Sequence, residues 1–243
     1  MTTPDPARAS SAGGRPPVGD RRLETPRAAG VAGLAFAVLF TASIVLLRNH
    51  PSGGSTAAGI RDFYLSRNAS SVALVGVYLA PFSGIAFLWF IAAIRHLIGD
   101  REDRFFATVF LGSGLLFVAM MFLAAGVGGS LLAAVEFQDE PVPSADVVVA
   151  VRSFAFGFLF IYAMRMAAVF MIVVSTIGMR LGVFPRWLVV SGYVAALVLM
   201  LNVSYLQELV LVFPAWVAAV SIIILKASWP RVPAGVATTP KRA

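Results

Sequence analysis

The chain has 243 residues, of which 59% are hydrophobic and 13% charged, with a formal net charge of +7 and no cysteine. A typical soluble domain is about 25% charged and 45–50% apolar, so a chain of this composition needs lipid as part of its solvent. Disulfide frameworks, thiolate metal sites and cysteine nucleophiles are excluded, and the basic residues flank apolar segments instead of forming one patch, which argues against nucleic acid as a partner.

Residues 1–26 are rich in Pro, Gly, Ser and Arg and show no apolar periodicity. A segment of that kind buries too little surface to offset ordering, and it is expected to be a disordered tail. From Ala28 to Leu47 the chain is apolar for about 20 residues, which matches a bilayer core of about 30 Å. A secretory signal has a shorter apolar core and a cleavage site, so this stretch is expected to be a retained first span. Within it Ala29, Gly33, Ala37 and Thr41 place a small residue every four positions, a stripe that lets a neighbouring helix approach closely.

Five more spans follow by the same criterion, giving a domain over residues 27–226. The second is expected at Ser71–Ile94, closed by Arg95 and His96, and the third at Phe105–Val127, entered from the charged run "GDREDR". The glycine-rich "GVGGS" at Gly126–Ser130 reads as a flexible exit from that helix. The fourth span is expected at Phe154–Met179, the fifth at Trp187–Asn202 and the sixth at Leu206–Leu225. In "PSAD" Ser144 is placed to cap helix four, with Asp146 in its first turn. The segment "AAGIRDFYLSRN" before span two reads either as a short surface helix or as a loop. Residues 227–243 form a short polar tail.

Charge then orients the bundle. With six spans, 14 of the 19 basic residues fall in the tails and in the loops around Arg95–Arg104 and Arg180–Arg186. Only Arg48, Arg61 and Arg67 fall in the opposite loops, with Arg152 near the start of span four, and "VEFQDEPVPSAD" is acidic. By the positive-inside rule both termini are expected in the cytoplasm. The fold class is therefore an all-α polytopic membrane bundle of about six transmembrane helices. The bilayer is its first partner, with other copies of the chain or other membrane proteins reached through helix contacts.

Arg165 interrupts the apolar run "FLFIYAMRMAAVFMIVV". At about 1.5 Å per residue it lies about 22 Å above Arg180, while Glu208 lies about 27 Å above Lys226 and Asn202 about 24 Å above Arg186. These three groups fall in one layer, and Tyr162 sits one turn from Arg165 on the same face. Glu208 is the sole acidic residue within an expected span. An isolated arginine at mid-helix costs roughly 2.5–3.5 kcal/mol on insertion scales, so an Arg165–Glu208 pair is expected. It forms either a polar clamp or a site that binds or transports a small anionic or amphipathic ligand. Pro81 and Pro214 each leave a backbone carbonyl without its helical donor.

Enzyme chemistry finds no support. The two histidines, His50 and His96, fall at opposite faces, and no zinc-protease, phosphate-loop or nucleophile-elbow motif occurs. Both lysines, Lys226 and Lys241, lie outside the spans. No metal or cofactor is expected.

The stretches "IRDFYLSRNASSVALVGVYL", "LWFIAAIRHL" and "LGVFPRWLVVSGYV" carry one further signal. On these the chain resembles a group of uncharacterised six-span membrane proteins of high-GC bacteria. That resemblance implies the six-helix fold and residence in a bacterial inner membrane, and it implies no activity. In "FPRW", Pro185 starts a helix, Arg186 marks the cytoplasmic face and Trp187 joins the interfacial belt.

Overall fold

The computed structural model describes residues 25–47, 59, 74–98, 104–137, 141, 143–201 and 207–227. All regular structure among them is helical. Helix α1 spans Thr25–Leu47; α2 spans Ala80–Ile98 and is preceded by a π-helical turn, Val75–Leu79. Helix α3 covers Arg104–Phe137, and α4 (Ala145–Phe156) runs through a second π-helical stretch, Gly157–Ala163, into α5 (Met164–Arg180). Helix α6 is Arg186–Leu201, and a 3₁₀ turn at Gln207–Leu211 leads into α7, Val212–Ala227.

Four helical stretches are long and apolar enough to cross a membrane: Arg27–Leu47, Phe105–Val135, Ala145–Arg180 and Glu208–Lys226. Ala80–Arg95 and Arg186–Leu201 are shorter apolar helices. Two elements exceed their sequence expectation. Helix α3 does not stop at Val127 but continues through "GVGGS" to Phe137. Glycine is a poor helix former in water, yet in an apolar surrounding a helix lets the backbone satisfy its own hydrogen bonds. Gly128 faces Ala155 of α4, and a Cβ there would be in ordinary contact with the Ala155 methyl at 3.5 Å. The fourth helix starts at Ala145, well before Phe154. Ser144 holds the extended N-cap backbone with Asp146 in the first turn, but its hydroxyl caps nothing, and the Ser144 carbonyl accepts from Val148 N–H at 3.1 Å. The sixth helix begins with the 3₁₀ turn, so Pro214 falls in the first turn of α7, where its missing N–H is tolerated. The tail 1–24, the segment 60–73, and residues 228–243 lie outside the described residues.

Proline also accounts for the turn before α2. Pro81 has no N–H for the carbonyl four residues back, and the chain responds by widening: Ala80 N–H reaches the Val75 carbonyl, five residues back. At the other end of the bundle α5 closes on Gly182 with φ +65°, a conformation glycine adopts without strain. Val183 N–H bonds the Gly178 carbonyl at 3.1 Å, and the Phe184 ring lies flush against Gly178. Pro185 then starts α6 back along α5.

Helix α1 is flanked by α2 and α7, and α3 packs against α2, α4 and α5. The small-residue stripe of α1 serves that packing: Ala29 and Ala37 are buried, and a Cβ on Gly33 would overlap Ser221 of α7 and Phe90 of α2. The core is aromatic. Phe87 lies at ring-centroid distances of 4.6 Å from Phe36, 5.1 Å from Phe117, 5.2 Å from Phe170 and 5.6 Å from Phe213. Rings from α1, α2, α3, α5 and α7 therefore meet around one residue.

Candidate functional site

Arg165 is half-buried at the start of α5. Its guanidinium Nη1 donates to the Ile161 carbonyl at 3.0 Å, one turn back on the same helix. Helical side chains tilt toward the N-terminus, which aims the guanidinium at that carbonyl. The π-helical stretch supplies it: Met164 N–H is shared between the Leu159 and Ile161 carbonyls, so Ile161 is poorly matched to the regular ladder and can take a charged donor. A backbone carbonyl, and not the expected carboxylate, is the described partner of the guanidinium.

The expected layer is not assembled among the described contacts. Glu208 sits exposed in the 3₁₀ turn before α7 and is engaged, but no described contact joins it to Arg165. Tyr162 is exposed, its ring 6.3 Å from that of Phe158 and turned away from the core. Asn202 lies outside the described residues. Among the described residues no cluster of His, Asp and Glu has the makings of a metal site.

What the structure does assemble is a cavity of about 120 Å³ at the end of the bundle where α1 finishes, α2 begins and α3 turns toward α4. Its walls are apolar: Phe40 and Ile44 of α1, Val75 and Gly76 of the first π turn, and Met121 of α3. Opposite them stand Ala155, Phe156 and Leu159 of α4 and the second π stretch. Part of its room comes from missing side chains. Gly76 and Gly129 both line it, and a Cβ on Gly129 would meet nothing within 4 Å. Both wide turns border it, which fits the tendency of π turns to occur at functional sites.

Among the described residues one cation, Arg152, stands on this wall. Arg152 is half-buried, and its guanidinium carbon lies 5.0 Å from the centroid of the Phe156 ring, a cation–π arrangement that holds the head in place. The hydroxyl of Ser43, also lining the cavity, is occupied by the Leu39 carbonyl at 2.8 Å. Along the helix Arg152 is about 42 Å from Arg180, close to the 40–45 Å thickness of a bilayer with its headgroups. Arg180 in turn packs 4.6 Å from the Phe106 ring at the start of α3. Arg165 lies between Arg152 and Arg180 along the same helical run. From Arg152 to Phe160 the lined wall descends about 12 Å toward the bundle centre.

Sequence reasoning placed Arg152 at a span boundary and missed the cavity, because the signal lies in what glycine leaves empty between four helices. No protein family, no curated protein and no solved structure matches the chain.

Proposed function

We propose that the protein is a six-span integral protein of a bacterial inner membrane, with both termini cytoplasmic, that binds an anionic amphiphile in the α1–α4 cavity. In that topology the cavity opens at the outer leaflet. The acidic head of the ligand meets Arg152 at headgroup level, and its apolar chain follows the wall from Ala155 toward Phe40. The observation that carries this reading is the Arg152 guanidinium on a cavity wall that is mostly apolar among the described residues. Pockets that take small ligands have this composition, mostly apolar with few placed polar groups.

The probe is oleate, with oleyl alcohol as its uncharged counterpart, titrated against the purified protein in a neutral detergent. Arg152→Gln is expected to weaken oleate at least tenfold and leave oleyl alcohol within twofold. Gly129→Leu, which fills the cavity, is expected to weaken both. Unchanged oleate affinity in both variants refutes the site.

A second reading, a non-enzymatic structural or regulatory protein acting through helix contacts, is favoured by one observation. Arg165 bonds to its own helix, an arrangement that fixes local backbone and presents no anchor to a ligand.

A further inference from the structure

Hydroxyls in apolar helices usually bond back to a carbonyl one turn earlier, and seven among the described residues do. Thr176 Oγ1 meets the Ile172 carbonyl at 2.8 Å and Ser221 Oγ the Val217 carbonyl at 2.7 Å; Ser43, Ser113, Ser130, Ser153 and Ser191 behave likewise. Ser83 of α2 and Ser175 of α5 do not: both are buried with no partner for the hydroxyl, and Ser175 is 1% exposed. Trp216 of α7 is 5% exposed, and its indole Nε1 has none either.

Of these three groups, Ser175 Oγ and Trp216 Nε1 face the same point. A Cβ on Gly192 of α6 would overlap Ser175 Oγ and would lie 3.0 Å from Trp216 Nε1. The hydroxyl of α5 and the indole N–H of α7 therefore crowd the same side of Gly192 on α6, where only a glycine leaves them room to approach each other. They are close enough for one molecule with bonds of about 2.9 Å to touch both. Leaving the two groups unpaired would cost about 1–3 kcal/mol each. The neighbouring polar pair shows the contrast: Thr176 and Tyr193 meet directly at 2.8 Å across α5 and α6, and there nothing needs to intervene.

We propose that Ser175, Gly192 and Trp216 form a binding site for one small neutral hydrogen-bonding molecule, water in the resting protein. The indole N–H donates to the water oxygen, and the water donates to Ser175 Oγ or accepts from it. Buried waters typically satisfy such groups with about three bonds. The site is separate from the α1–α4 cavity and does not depend on the ligand proposed there. It joins α5, α6 and α7 at one point.

The test uses the full chain in detergent micelles with ¹⁵N-labelled tryptophan. The four indole signals are assigned by elimination through Trp89→Phe, Trp187→Phe and Trp229→Phe, so Trp216 need not be altered. A dipolar cross-peak between the Trp216 indole proton and the water resonance, with the sign of a long-lived bound water, is expected in the wild type. Its loss is expected in Ser175→Val, which replaces the hydroxyl with an apolar group. No water contact in the wild type overturns the proposal, and so does a contact that persists unchanged in a folded Ser175→Val protein. Should that variant fail to fold, Ser175→Ala replaces it, with at least a twofold weaker cross-peak expected and an undiminished one overturning the site.

Discussion

Phe87→Ala separates a membrane core from a soluble one. Phe87 is fully buried, with five other rings within 6.0 Å between centroids. In a soluble protein Phe→Ala at such a site costs about 3–5 kcal/mol. Roughly 1.5–3 kcal/mol of that is transfer of the side chain from water. In a bilayer the unfolded helices stay in lipid, which is as apolar as the core, so the transfer part is absent. What remains is lost packing, about 2 kcal/mol, or roughly a thirtyfold change in the folded ratio at 1.4 kcal/mol per decade. Trp89→Ala is the control, because Trp89 is 69% exposed and has no core contact to lose. Reversible unfolding in mixed micelles with rising dodecyl sulfate measures both. A Phe87→Ala cost above 4 kcal/mol would show that the core excludes water as a soluble core does. A cost near zero would show that the ring cluster is not packed. Either result refutes the reasoning.

Gly33→Ala is expected to destabilise by about 1–3 kcal/mol through overpacking, since the new methyl would overlap the Ser221 hydroxyl and come within 2.7 Å of Phe90. Adding Ser221→Ala should restore part of that loss in the same unfolding assay. Arg165→Leu and Glu208→Gln are expected to be additive within about 0.5 kcal/mol; a coupling above 1 kcal/mol would mean that the two side chains pair in the membrane after all. In the Thr176–Tyr193 bond the threonine proton goes to the Ile172 carbonyl, so Tyr193 is the donor. Tyr193→Phe should cost about 0.6 kcal/mol, the average for interhelical bonds in membranes, and no further loss is expected when Thr176→Val is added.

The apolar helices were legible because length and hydropathy follow directly from bilayer thickness, and the helix starts at Arg186 and near Phe105 fell within a residue of their expected places. The long ends of α3 and α4 were not. "GVGGS" has the local chemistry of a break in water, but in an apolar surrounding a helix is the way for its backbone to satisfy its own hydrogen bonds. Arg165 was visible as an oddity, but its acceptor was assigned to the nearest carboxylate in depth. A backbone carbonyl loosened by a π turn leaves no mark in composition. Ser175 and Trp216 are ordinary residues for such helices, and what singles them out is a glycine 17 residues from one and 24 from the other.

The wide turn at Gly157–Ala163 also sets the rotational phase at the start of α5. Val148, Arg152, Ala155 and Leu159 line the cavity at α-helical intervals. Continued at 3.6 residues per turn, that stripe would reach about residues 162, 166 and 170. The buried stripe instead runs through Ala163, Ala167, Phe170, Val174 and Ile177, roughly one residue later over its first two turns. One residue is about 100° of azimuth. Over those two turns Tyr162 looks outward and Ala163 and Ala167 meet the bundle, and by Phe170 the stripe is back in phase. The wide turn thus lets small residues, and not Tyr162 and Met166, stand where the start of α5 comes closest to its neighbours.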